Sequence, residues 1–249
     1  MSCPCESPAK PISFSSHPCL KPKGGNQPMT GWICDNDGRD VEFISLTEFL
    51  PRVTLIAKGV PDDVALEYLR QSAQTFCQQS RLLKRELRLD VQVGVRDYYL
   101  EQGDNEQVHV VQSVHLGNRG EKCRCFFEHF HSPRHGFCHK HFTFEPNDKI
   151  ILSKPPKFDG ENQLQVHYFA QPTQTACDVD KLLFDRYHDV VVNGALSQLL
   201  FMRQYDFADP QLAVVYEQRF KQGIAQGKID VQSHFATNAP SSLAFKGRI

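Results

Sequence analysis

The residues best suited to chemistry lie between positions 122 and 142, KCRCFFEHFHSPRHGFCHKHF, which hold three of the nine cysteines and five of the eleven histidines. Thiolates and imidazoles are the donors that zinc, copper and nickel prefer. If the stretch is a β-hairpin turning at SPRHG, side-chain alternation puts Cys123, Cys125, Phe127, His129 and His131 on one face. Pairing His131 with His139 then sets His129 opposite His141, and four imidazoles share a face. The competing reading is a solvated hairpin whose histidines hold no metal. It is favoured because the spacing matches no zinc finger or ribbon, and no HExxH lies nearby. No tightly bound metal or other cofactor is therefore expected. A cysteine–histidine nucleophile lacks an accompanying orienting pattern. Cys3, Cys5, Cys19 and Cys34 also match no paired CxxC spacing.

Other catalytic signatures are missing from the sequence: there is no GxSxG, no phosphate-binding Walker loop and no GxGxxG. Aspartates and glutamates are scattered at helix starts and turns, where capping and solvation are their ordinary roles. Arg81, Lys84, Arg85 and Arg88 form a short basic run that reads as a solvated helix end. The net charge of −1 gives no general attraction to nucleic acid or acidic membranes. No stretch approaches the ~20 apolar residues of a membrane span. The first residues, MSCPCESPAKPISFSSHPC, do not read as a signal peptide. An odd number of dispersed cysteines in a chain of 249 residues fits a reduced, cytosolic setting during synthesis.

The elements that would position these residues follow from pattern and punctuation. Residues 1–40, rich in Pro, Ser, Gly and Asn, read as an extended arm. Residues 41–90 and 176–228 read as two parts of one helical bundle, residues 91–175 as a β-rich insert, and residues 229–249 as a C-terminal arm. Ser45 and Glu48 have capping-box spacing, and Pro51 divides the following helix into two short pieces. Pro61 suits a first helical turn, with Asp62 and Asp63 complementing its dipole. Leu66, Leu69, Ala73, Phe76, Leu83 and Leu87 then follow a three–four repeat, predicting one long helix. The segments VQVGVRDYYL, QVHVVQSVHL, KIILSK and LQVHYFA are short β runs separated by turn residues, pointing to a small antiparallel sandwich or barrel.

Asp178 or Asp180 can cap a helix from about Lys181 to Met202, with Leu183, Tyr187, Val190, Val191, Gly194 and Phe201 on its apolar face. Asp209-Pro210 opens a last helix with Ala213, Tyr216, Phe220 and Ile224 inward, after which no period is sustained beyond Gly227. Gly194-Ala195 in mid-helix costs stability unless a neighbouring helix uses the space. The predicted fold class is thus α+β: a helical bundle interrupted by an antiparallel β domain, with extended arms at both ends.

Three stretches carry a resemblance. They are residues 46–80; FTFEPNDKIILSKPP followed by LQVHYFAQPTQTA; and residues 182–228, with Asn193-Gly194-Ala195-Leu196, Asp209-Pro210, Leu212-Ala213, Tyr216, Phe220, Gly223 and Ile224. In this order they resemble the head-to-tail adaptor proteins of tailed bacteriophages, also called connector or upper tail tube proteins. The Cys-rich arm and the Cys/His stretch fall outside the family pattern.

The resemblance implies a structural virion protein and not an enzyme. It implies a self-assembled ring of twelve copies at the head–tail junction, built in the host bacterial cytoplasm. Its partners would be the portal protein above, a tail or nozzle protein below, and genomic DNA passing without sequence recognition. No membrane is involved. Family adaptors grip the portal with their C-terminal segment. Here that role would fall to Ile229, Val231, Phe235, Leu243, Phe245 and Ile249 as apolar anchors, with Lys246 and Arg248 adding charge-assisted contacts. The rival expectation from another class is a metal-binding or redox protein using the Cys/His hairpin at 123–141.

Overall fold

The structure, a computed structural model, describes residues 41–100, 103–117, 142–145 and 148–233, and the backbone alone of residues 32–35, 125–129, 140 and 141. It has an α+β architecture, with four α-helices and ten strands among the described residues and one apolar core shared by the helices and the sheet. A short 3-10 turn, Leu46–Phe49, leads into helix α1, Leu50–Ile56, with Pro51 in its first turn. The divided helix expected from Pro51 is therefore present. Ser45 caps the turn by accepting from the Thr47 amide at 3.3 Å, without the reciprocal Glu48 bond of a full capping box.

Helix α2, Asp62–Ser80, starts at Pro61 as expected, with Asp62 and Asp63 in its first turn. Leu69, Ala73 and Phe76 are fully buried along it. The helix ends earlier than the three–four repeat predicts. Arg81 adopts left-handed dihedrals (φ 54°, ψ 40°), and its amide closes the last turn on the Cys77 carbonyl at 2.9 Å. Leu83 and Leu87 do not extend the helical stripe: Leu87 lies in a strand, Lys84–Val91, and Leu83 just precedes it. Arg85, Leu87, Leu89 and Val91 alternate inward there, whereas Lys84, Glu86, Arg88 and Asp90 are only half-buried. Positions 83 and 87 satisfy both a helical and a strand period, and the alternating charges decide for the strand.

That strand is β3. The strands in chain order are β1, Trp32–Asp35; β2, Phe43–Ser45; β3; β4, Asp97–Tyr99; β5, Glu106–Leu116; β6, Cys125–His129; β7, Lys140–Glu145; β8, Lys149–Leu152; β9, Gly160–Pro172; and β10, Asp178–Asp180. Eight form one sheet in the order β1-β3-β9-β5-β6-β7-β8-β4. Among the described residues the sheet does not close on itself: β1 and β4 are its edges there, and the expected small sandwich or barrel is found as an open eight-stranded sheet. Its inner side is apolar from Leu87 and Val166 to Ile150 and Tyr98, and α2 packs against β9. β2 and β10 pair separately, setting Ile44 opposite Val179. This ribbon ties the chain before α1 to the chain before helix α3, Lys181–Leu199. Phe49 strengthens the tie by stacking on His188 and meeting Phe184 edge-on, with ring centroids 5.0 and 5.3 Å away.

The last helix, α4, Pro210–Gln232, runs antiparallel to α3 and completes a three-helix bundle with α2. Asp180 and Asp209 cap α3 and α4 as expected; Asp180 accepts from the Leu182 amide at 2.7 Å, and Asp209 from the Leu212 amide at 3.0 Å. Two expected boundaries move. α3 stops at Leu199, leaving Phe201 exposed, and α4 continues past Gly227 to Gln232.

Candidate docking surface

The two ends of the α3–α4 hairpin are built differently. Near its loop, the helices cross at Gly194. A Cβ there would stand 2.1 Å from Ser72 Oγ and 2.8 Å from the Phe220 ring, so only a glycine admits this approach. Ser72 Oγ also donates to the Val191 carbonyl at 2.7 Å, bonding α2 to α3 beside the crossing. The close neighbour expected from Gly194-Ala195 is therefore present. On α4, Gly223 and Gly227 extend the close fit: Cβ atoms there would meet Val190 at 2.5 Å and Phe76 at 3.0 Å.

The other end lies where α3 begins and α4 finishes. Tyr187 leaves helical dihedrals (φ −125°, ψ 19°) and kinks α3. Beside the kink lies a groove of about 420 Å³ lined by Arg186, Tyr187, Val190, Gln222, Gly223, Gln226 and Asp230. Tyr187 OH donates to Asp230 Oδ2 at 2.7 Å, and Gln226 Nε2 donates to Oδ1 at 2.8 Å, so both carboxylate oxygens are engaged. Burial, reinforced by Asp230, pushes the Tyr187 phenol above its ordinary value, keeping it a proton donor.

The expected portal contacts begin beside this groove. Ile229 is 55 % exposed on the last turns of α4, whereas Val231 is half-buried and packs against the core. Both belong to a helix and not to an extended arm. Phe235, Leu243, Phe245, Lys246, Arg248 and Ile249 lie outside the described residues. The structure thus places Ile229 on the surface and Val231 against the interior.

The Cys/His stretch is arranged differently from the expected hairpin. β6 and β7 run parallel, with Glu128 opposite His141 and His129 opposite Phe142. The antiparallel register that would pair His129 with His141 is not the register found. His131 and His139, like Cys3, Cys5, Cys19 and Cys123, lie outside the described residues. Among the described residues, no group of three or more His, Cys, Asp or Glu side chains is arranged to hold a metal ion.

Sequence reasoning missed the joint between bundle and sheet. Arg85 is not at a solvated helix end: it is 3 % exposed. Its Nε and Nη2 donate to Glu106 at 2.9 and 2.7 Å, and Nη2 also donates to Asp180. Burial alone would lower its pKa, but Glu106 and then Asp180 outweigh that effect and hold the guanidinium firmly protonated. Asp180 simultaneously caps α3, so one carboxylate joins β3 to the start of a bundle helix. Cys77 lies close by, its thiol pushed up first by burial and then by the Glu106 and Asp180 charges. It is an inert core residue. The available sequence signal for this joint was the alternation of residues 84–91.

The α+β frame packs its helices closely at glycines and leaves several large apolar side chains outside, Val214, Val215 and Ile229 on α4 among them. The class of protein comes from comparison with protein families: the family described as SU10 adaptor protein matches residues 44–241. The chain belongs to this family, a structural family of phage head–tail adaptors. No curated protein matches it. The family match spans all four helices and begins within β2. Membership implies binding to other phage components and a place in the virion. Among the described residues, no helix is long and apolar enough to cross a membrane.

Proposed function

We propose that this chain assembles into a ring, twelve copies around, that joins the portal to a tail or nozzle protein and surrounds the path of the exiting genome. The family match over residues 44–241 carries the reading. The bundle supports it physically. Glycine crossings give each subunit a stiff frame, while Val214, Val215 and Ile229 offer apolar surface for side-by-side packing. A net charge of −1 suits passage of DNA without its capture. The chemistry of such a protein is packing, with no catalytic step.

The C-terminal segment is the portal grip in this reading. Ile229 begins the contact, and Phe235, Leu243, Phe245 and Ile249 supply apolar anchors, with Lys246 and Arg248 at the tip. Native mass spectrometry of the purified chain with portal tests assembly: a closed ring on the portal is expected, and a monomer that ignores it contradicts the proposal. For the grip, truncation should begin at residue 234, because Val231 packs against the core. Removing residues 234–249 should leave the melting transition nearly unchanged and abolish docking. Undiminished occupancy on portal-bearing heads would remove the segment from that role.

A further inference from the structure

We propose, resting on the ring reading of this chain, that neighbouring copies meet head to tail through two different faces: the outer stripe of α4 on one copy lies against the α1 side of the next. α1 and α4 pack on the same two helices, α2 and α3. They take different faces of α3. Phe49, at the head of α1, meets Phe184 and His188, whereas α4 fits against Tyr187, Val190 and Gly194. The two helices therefore flank the α2–α3 pair on separate sides, and each keeps an outward face.

Both outward faces carry apolar side chains. Leu55 is 63 % exposed on α1, and Val214 and Val215 are 43 % and 40 % exposed on α4. From Val214 an exposed, uncharged line continues through Gln218, Gln222 and Ala225 at helical spacing, over about 16 Å. The charges of the two faces are complementary. Every fully exposed charge on α4 is basic, namely Arg219, Lys221 and Lys228. On the α1 side, counting the neighbours of Phe184 and His188 on α3, the exposed acids Glu48, Asp62, Asp63, Asp185 and Asp189 outnumber Arg52 and Lys58. Lys181 there is paired with Glu42 at 2.9 Å. Complementary charge favours α4 against α1 and disfavours α4 against α4, where the three bases would face their own copies. Contact between two different faces is also the kind that closes a ring, whereas a face that pairs with itself stops at two copies.

The test uses the full chain with portal and native mass spectrometry. The natural chain should form a ring; if it does not, the ring reading fails and this contact with it. Leu55→Asp and Val214→Asp change exposed positions, so their melting transitions should match that of the natural chain, and Val215→Asp serves as a second α4 variant. Each variant alone should lose ring occupancy by about tenfold or more, because every contact would bury an unpaired carboxylate. Leu55→Asp and Val214→Asp mixed in equal amounts, one of them isotope-labelled, should form pairs holding one copy of each. One natural contact survives in such a pair, the α4 face of Leu55→Asp against the α1 face of Val214→Asp. Rings of the natural chain together with undiminished rings from Leu55→Asp or from both α4 variants overturn this contact and leave the ring reading standing. Absence of mixed pairs overturns it as well. So do like pairs of Leu55→Asp, because its intact α4 faces would then be meeting each other.

Discussion

The loop end and the open end of the α3–α4 hairpin use the same two helices for opposite purposes. At Gly194, three helices meet with no room for a methyl group. Some way along the pair, Tyr187 breaks the helical dihedrals of α3, and a groove of about 420 Å³ opens against α4. One end fixes the relative position of the helices. The other keeps polar contacts at its edge, where Asp230 accepts from both Tyr187 and Gln226. A single hairpin thus joins a crossing closed by glycine to an edge held by polar contacts.

The largest effects should come from removing what both ends share. Phe76 is fully buried, lies 5.0 Å from the Tyr187 ring between centroids, and fits against Gly227. Phe76→Ala should cost about 3–5 kcal/mol in urea unfolding. A loss below about 1 kcal/mol would show that the bundle collapses around the vacancy. Arg85→Met keeps the volume but leaves Glu106 and Asp180 facing each other without their cation. It should cost about 3–5 kcal/mol and loosen the start of α3 in hydrogen exchange. A neutral result would mean that the ion cluster contributes little beyond its volume.

Smaller substitutions sharpen the contrast between the ends. Gly194→Ala forces Ser72 or Phe220 aside and should cost about 1–3 kcal/mol. Tyr187→Phe removes one bond to Asp230, which keeps Gln226, and should cost about 1 kcal/mol or less. If the second exceeds the first, the groove end is the more rigid one and the comparison is reversed.

The smallest effect is pH dependence. Burial lowers the pKa of His167 below 6.5, with Glu86 opposing, and burial and Arg81 do the same for His109. The unfolded chain therefore takes up protons first. The neutral histidines' full contribution is present above pH 6.5 and is lost as pH falls through their lower folded values. His167→Gln should flatten the acid side of the stability profile; an unchanged slope would show that His167 does not contribute to it.

Much of the helical frame was legible because its signals are local. Pro61 and Asp209 each mark a helix start by their own backbone chemistry, Asp178 and Asp180 bracket a third that Asp180 caps, and Gly194 announces a close crossing. The failures occurred where one residue type serves two roles. Leu83 and Leu87 fit either period, so α2 was read through a strand. Gly227 reads as a helix stop, yet its missing side chain makes room for Phe76 within α4. Arg85 reads as solvated within a basic run because Glu106 and Asp180, 21 and 95 positions away, are invisible to local pattern. The strand order was equally hidden: β9 lies between β3 and β5, and β6 beside β7 runs parallel. Of the candidate docking residues, the sequence identified apolar character but could not separate exposed Ile229 from packed Val231, since that depends on the face of a helix it did not extend far enough.

The central claim is that the bundle forms a ring between portal and tail. A reconstruction of the phage neck at a resolution that separates helices tests it directly. The account predicts twelve copies of the α2–α3–α4 bundle directly below the portal, encircling the DNA path, with density continuing from the end of α4 onto the portal. A neck with no position for this bundle, or the chain placed elsewhere in the particle, would contradict it.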